Sequence, residues 1–374
     1  MKIIIVGPAY PLRGGIAHHT NLLSRALAGR HSVHVITFRR QYPSLLFPGT
    51  TQKEVAGELV RIDTEARLDS MNPFTWISVA RQIRHENPDL VIFPYSLPFF
   101  APCYATIAGL IRRGRATRTL FLCHNILPHE RHFGDKFFAR RMFAFADFYI
   151  VQSNEVRREL LALVPNAKHA LVHHPIYDMF GKAIPKDYAR RQLGIQASHV
   201  ILYFGYIRKY KGLGSLLKAT HKVITGGERD LLLLVVGEFY EDESHYRAQA
   251  AGLGISRDVQ FIPQYVPQNE VATYFSAADV VVLPYLSASQ SGIVQVAYNF
   301  DKPVIATSVG GLAEVVLDGT TGFIVPPDDA DALATAIQRF YLEQKEDEFT
   351  RNIQREKQKY SWETMVTAIE SLCQ

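Results

Sequence analysis

Cysteine is scarce. There are three, Cys103, Cys123 and Cys373, scattered and odd in number. This argues against a disulfide framework, offers no thiolate cluster for a metal, and fits a reducing compartment. Long apolar runs are missing too. No stretch reaches the ~20 residues that span a bilayer, and the longest candidate, residues 97–111, is broken by Pro98 and Pro102. Residues 1–6 hold a short apolar run before Gly7-Pro8, which reads as a first strand and not a signal peptide. Charge of one sign is nearly balanced: 41 Lys and Arg against 36 Asp and Glu leave a net +5. That is too weak to imply nucleic acid, and is compatible with a phosphate-bearing ligand or an anionic membrane surface. The dinucleotide fingerprint G-x-G-x-x-G is absent where it should occur, since residues 7–15 read Gly-Pro-Ala-Tyr-Pro-Leu-Arg-Gly-Gly. A nicotinamide-dependent dehydrogenase is thereby disfavoured.

What is present is an ordinary globular composition, 47% hydrophobic and 21% charged over 374 residues. That length implies two domains. Short β-branched runs alternate with helical spacing throughout. In the first half, strands are expected over residues 2–6, 33–38, 59–62, 90–93, 119–123, 148–151 and 170–172. Helices are expected over 16–27, 74–84, 104–113 and 135–146. The segment 173–186 carries prolines and no periodicity, and reads as the interdomain linker. The second half starts over, with strands at 200–204, 231–236, 259–262, 280–283, 304–306 and 323–325, each followed by a helix or a glycine turn. The expectation is an α/β protein of two parallel-sheet domains, residues 1–175 and 186–360. The last helix, within residues 361–374, is expected to pack back on the first domain. In such sheets ligands bind beyond the carboxyl ends of the strands.

Three stretches carry chemistry. Gly14-Gly15 opens a helix and offers backbone N–H groups to an anion. The loop from Gly205 to Gly212 places Arg208, Lys209 and Lys211 between a strand and a helix. Cations crowded at a helix amino terminus are costly unless an anion is present. His124-Asn125 ends a strand, where an imidazole can donate a hydrogen bond to a ligand hydroxyl or phosphate. Neither His124/His129 nor His173/His174 has the spacing and third ligand of a metal site, so no metal is expected.

These residues, together with the run from Ala278 to Gly322, resemble the retaining nucleotide-sugar glycosyltransferases of the GT-B fold, in the large fourth sequence family. The matching pieces are Gly14-Gly15, His124-Asn125, Ala146-Asp147, Gly205…Lys211-Gly212, Asp279–Pro284, Ser291-Gly292, Lys302–Thr307, Gly310-Gly311…Glu314 and Asp318-Gly319. The resemblance implies two Rossmann-like doubly wound domains facing across a cleft, acceptor on the first and nucleotide sugar on the second. It assigns catalytic roles to His124, Arg208 and Lys211. Donor contacts fall to Gly14, Gly15, Gln290, Ser291, Gly292, Ile293, Gln295 and Tyr265. Tyr10, Arg13, His18, Glu130 and Arg131 are the acceptor candidates at the first domain's edge. No cofactor is implied beyond the nucleoside-diphosphate sugar itself.

The chain departs from that family in two places. Tyr206 stands where an arginine is usual, with Arg208 as the substitute. Ser289 and Ala297 stand where two glutamates are usual. A same-face displacement, in which the leaving diphosphate takes the acceptor's proton, needs no carboxylate. The expected activity is therefore metal-independent transfer to a hydroxyl of a glycan or lipid-linked acceptor, in polysaccharide or glycolipid synthesis. The expected place is the cytoplasm, at the inner face of the membrane, with peripheral contact through residues 104–115 or the Phe-rich helix 135–146. The alternatives are a nucleotide-sugar epimerase on the same scaffold and a catalytically silent sugar-nucleotide-binding subunit.

Overall fold

A computed structural model describes residues 1–43, 52–53, 64–112, 116–128, 133–228 and 230–374. The chain divides into two compact units, Met1–Pro175 with Ser361–Gln374, and Ile176–Tyr360.

The first unit is built on seven parallel strands: β1 (Lys2–Val6), β2 (Ser32–Arg40), β3 (Thr64–Asp69), β4 (Leu90–Tyr95), β5 (Arg118–Cys123), β6 (Phe148–Val151) and β7 (His169–Leu171). Their order is β3-β2-β1-β4-β5-β6-β7. Central strands buried on both faces need apolar residues at successive positions, and Ile3, Ile4, Ile5 and Val6 are all fully buried. Alternate residues feed opposite faces. Ile4, Val6, Val91, Phe93 and Phe121 pack with Val79, Ile83, Tyr104, Ile107 and Met142 from helices Pro73–Glu86, Ala101–Arg112 and Asp135–Phe143. Ile3, Ile5, Ile92, Leu120 and Leu122 pack with Leu23 and Leu27 of helix Gly15–Ala28. Met365, Val366 and Ile369 of the last helix, Trp362–Cys373, join that same cluster. Each of those three contributes about 1.5–3 kcal/mol by leaving water, which holds the end of the chain on the first sheet.

Two parts of the sequence reading bear on this unit. The strand expected over 59–62 lies outside the described residues, and β3 at Thr64–Asp69 forms the sheet edge. Helix Ala101–Arg112, within the segment 104–115 for which membrane contact is one reading and a core-packing helix the other, turns Tyr104, Ile107, Ala108 and Ile111 into the core, and residues 113–115 lie outside the described residues.

The second unit repeats the plan with six strands: β8 (His199–Phe204), β9 (Leu231–Val236), β10 (Val259–Ile262), β11 (Val280–Leu283), β12 (Val304–Thr307) and β13 (Gly322–Val325). The order is β10-β9-β8-β11-β12-β13, again all parallel. At the amino edge, the buried Asp279 carboxylate accepts from Val200 N at 2.6 Å, Lys186 Nζ at 2.7 Å and a terminal guanidinium nitrogen of Arg190 at 2.8 Å. This ties helix Lys186–Gln192, which the sequence reading did not contain, to the sheet.

Strand order reverses direction of growth between β1 and β4 in one sheet and between β8 and β11 in the other. Loops leaving the carboxyl ends diverge at such points and leave a crevice for a ligand. The Gly7–Gly15 loop follows β1. The Gly205–Gly212 and Pro284–Ser291 loops follow β8 and β11.

Candidate functional site

In the second unit the two switch-point loops are locked together. Gly212 has φ +71°, and a Cβ there would lie 1.8 Å from the Pro284 carbonyl oxygen. Glycine alone permits that approach. Leu286 N donates to the Tyr210 carbonyl at 2.7 Å, closing the same junction. The pairing sets Lys211 above the Tyr285 ring, with its ammonium 5.4 Å from the ring centroid.

Lys211 is half-buried and has no carboxylate partner among the described residues. Burial lowers its pKa; Tyr210 opposes that shift and the Arg208 cation adds to it. An anion at this point would favour the charged form of Lys211. Arg208 is exposed, its guanidinium 4.9 Å over the Tyr240 ring.

Helix Gly292–Asn299 starts beside this pair. Ser291 caps it, its Oγ accepting from Ile293 N at 3.2 Å, and the Tyr285 hydroxyl lies 3.3 Å from the same Oγ. Ile293 also reaches the Gly205 end of the first loop, 3.5 Å from where a Cβ would stand. The structure thus brings Lys211, Ser291, Gly292 and Ile293 together around Tyr285, a residue sequence reasoning did not single out. Its signal, an aromatic two residues past a strand, is common to many core positions.

Gln295 is fully buried, and its amide oxygen has no hydrogen-bond partner among the described residues. Gln290 is half-buried in the loop that leads to the helix. Ser289 is buried, with its carbonyl accepting from Gly311 N at 2.9 Å, and Ala297 is enclosed in the core. Tyr265 is half-buried at the end of β10. It lies 6.5 Å from Tyr206, which in turn lies 4.7 Å from Tyr240. Tyr206 therefore belongs to a tyrosine cluster contributed by three strand ends.

In the first unit Gly14 has φ +112° and precedes helix Gly15–Ala28. Tyr10 N donates to Asn21 Oδ1 at 3.0 Å, and Arg13 and His18 are buried. His129, Glu130 and Arg131 lie outside the described residues. His124 follows β5, its N–H donating to the Tyr95 carbonyl at 2.8 Å. Burial, and after it His174, lowers the His124 pKa to about 3, while a hydrogen bond that the ring donates to Gln152 opposes the shift. His124 is therefore neutral near pH 7. The sequence holds an Asp-x-Asp, the pattern that can bind a divalent ion against a diphosphate, at Asp329-Ala330-Asp331, but its carboxylates are engaged. Asp329 caps helix Ala330–Leu342 through Ala332 N at 2.8 Å, and Asp331 pairs with Lys222 at 2.7 Å.

Two family profiles match the chain in tandem: Glycosyltransferase Family 4 over residues 13–178 and Glycosyl transferases group 1 over residues 198–343. The chain belongs to the family 4, group 1 glycosyltransferases. A D-inositol 3-phosphate glycosyltransferase of Corynebacterium aurimucosum is 33% identical over 195 residues, 49% of this chain and 45% of that protein. One of Streptomyces avermitilis is 33% identical over 208 residues, 53% and 45% of the two chains. The match thus spans less than half the length of these relatives. Among solved structures, sucrose-phosphate synthase from Thermosynechococcus elongatus superposes with a TM-score of 0.75 at 21% identity, covering 100% of this chain and 98% of that one. Anabaena HepE in complex with UDP gives 0.77 at 19%, covering 99% of each. These likenesses establish the GT-B fold with its two Rossmann-like domains.

Proposed function

We propose that this chain is a retaining glycosyltransferase that moves a sugar from a nucleoside-diphosphate donor to a hydroxyl of a glycan or lipid-linked acceptor. The observation that carries the reading is Lys211: a half-buried cation with no carboxylate partner among the described residues, set over Tyr285 beside the capped amino end of helix Gly292–Asn299. A diphosphate supplies the missing anion, with Arg208 within reach of the same loop. The Gln295 amide oxygen, buried and without a hydrogen-bond partner among the described residues, suits a sugar or ribose hydroxyl. HepE is solved with UDP and with UDP-glucose, which makes uridine diphosphate the first nucleotide to test.

In the reaction the bond between the anomeric carbon and the phosphate oxygen breaks, and the acceptor oxygen bonds the same face of that carbon. The acceptor proton passes to the departing phosphate. Lys211, Arg208 and the helix end stabilise the negative charge that grows on the leaving group. Neither Ser289 nor Ala297 can ionise, so this route, which needs no protein carboxylate and no metal, fits the residues present.

The acceptor side is proposed to work at the inner face of a membrane, in polysaccharide or glycolipid synthesis. Helix Asp135–Phe143 exposes Phe137 and Phe138 beside Lys136, Arg140 and Arg141, with Phe133 exposed just before it. Aromatics flanked by cations suit an anionic bilayer surface. The described residues contain no helix long and apolar enough to cross a membrane.

The test is a panel of nucleotide sugars with glycan and lipid-linked acceptors, with the anomeric configuration of each product read by NMR. Transfer with retention is expected. An inverted product would refute the same-face route, and a changed sugar nucleotide released without acceptor would indicate an epimerase. Tight nucleotide binding with no turnover would indicate a silent binding subunit.

A further inference from the structure

Inside the first unit His124 belongs to a buried polar cluster whose other members have no role in the donor chemistry. His19, His124, His174 and Gln152 are all buried, and they arrive from four separate places in the fold: helix Gly15–Ala28 and the ends of β5, β7 and β6. Four polar side chains in an apolar interior are costly unless they satisfy one another. His19 stands edge-on to two of its neighbours, with ring centroids 4.7 Å from His124 and 4.8 Å from His174, and Trp362 closes the third side at 4.9 Å.

Gln152 sits at the junction. Its Nε2 lies 3.0 Å from His19 Nε2, and it also hydrogen-bonds His124. A glutamine amide has one donating end and one accepting end. The Nε2 end serves His19, whose Nε2 must then be the accepting nitrogen. The Oε1 end remains for His124, which must donate. His174 is fixed independently, its Nδ1 donating to the Pro175 carbonyl at 3.1 Å. The two ends of Gln152 thus hold His19 and His124, and the Pro175 carbonyl holds His174, each in one tautomer, and the rings block one another's rotation. A neutral imidazole that has committed its only N–H has a second nitrogen that can only accept.

We propose that Gln152, itself held by His19, is a positioning residue that fixes the tautomer and ring orientation of His124, so that His124 meets a ligand hydroxyl as a hydrogen-bond acceptor. This rests on the glycosyltransferase reading, with His124 at the donor sugar. It reverses the expectation from sequence, in which His124 donates. A sugar hydroxyl that gives its hydrogen to His124 is oriented in one direction only, which narrows the poses a donor can take.

The test uses the full chain with 15N-labelled histidine and long-range 1H–15N spectra, His124→Asn identifying the His124 signals. In the wild type, His124 and His19 are each expected as one neutral tautomer. In Gln152→Leu, His124 is expected as a mixture of tautomers. The kcat with UDP-glucose as donor probe is expected to fall roughly 10–100-fold, while affinity for UDP, which lacks the sugar, stays within about twofold. Gln152→Glu keeps the shape but adds a carboxylate, and is expected to convert His124 to the imidazolium in the same spectra. It carries the test alone should Gln152→Leu not fold. A tautomer mixture in the wild type, or an unchanged His124 in either variant, would overturn the proposal. Failure of the wild type to bind UDP would sink the glycosyltransferase reading instead, and the spectra distinguish the two failures.

Discussion

Lowering the pH from 7 to 5 is expected to destabilise the first unit through its buried histidines. Burial lowers His124 to about 3 and His174 to about 4, and holds His19 well below its ordinary value. In the unfolded chain each returns to about 6.5. Between those values the unfolded state binds more protons, so stability is full above about pH 6.5 and falls as the pH drops. The fall continues towards the folded-state values near 3 to 4. Each group costs about 1.4 kcal/mol per pH unit within the window, or about 2 kcal/mol by pH 5. His124 and His174 together remove about 4 kcal/mol, against the roughly 5–15 kcal/mol that a domain has in all. The assay is urea unfolding followed by tryptophan emission. The chain has two tryptophans, Trp76 and Trp362, and both belong to the first unit, so the signal reports that unit alone. His174→Asn keeps a donor for the Pro175 carbonyl and removes one titrating ring; it should take about 2 kcal/mol out of the pH dependence. Stability that stays flat from pH 7 to 5, or an unchanged slope in His174→Asn, would refute the reasoning.

Three further outcomes are expected. Gly212→Ala puts a Cβ against the Pro284 carbonyl at positive φ; it should cost the second unit roughly 2 kcal/mol or more by calorimetry and weaken UDP binding with it. Asp279→Asn leaves Arg190 without its carboxylate, while Lys186 keeps Glu346; a loss of about 3 kcal/mol is expected in urea, and a loss below about 1 kcal/mol would show the network to be dispensable. Wild-type protein should sediment with vesicles containing phosphatidylserine, less so in high salt; Phe137→Ser with Phe138→Ser should abolish this, and no wild-type binding would remove the membrane proposal.

The architecture was legible wherever strands are central and apolar. Ile3 to Val6 and Val280 to Leu283 announce buried parallel strands because both their faces must be covered. The edge strand β3 was not legible: Thr64, Glu65, Ala66 and Arg67 face solvent or the rim, and only Leu68 and Asp69 are buried. Helix Asn154–Leu163, absent from the sequence reading, buries just Val156 and Leu160, too few apolar positions to show a period. Within the candidate site, the cations and glycines were readable because loop, strand and helix follow each other in sequence. Tyr285 under Lys211 was not, since its role depends on how Gly212 meets Pro284. The Gln152–His19 contact joins residues 133 positions apart, a distance over which spacing carries no information.

The central claim is that Lys211 waits for a diphosphate. Titration calorimetry of UDP into the wild type and Lys211→Met tests it most directly. A charge-assisted hydrogen bond contributes about 1.5–3 kcal/mol, so affinity should fall roughly 10–100-fold. The exposed Lys209→Met should stay within about twofold. Because the ammonium has no carboxylate partner among the described residues, Lys211→Met should not lower stability without nucleotide. Equal UDP affinity in wild type and Lys211→Met would contradict the account.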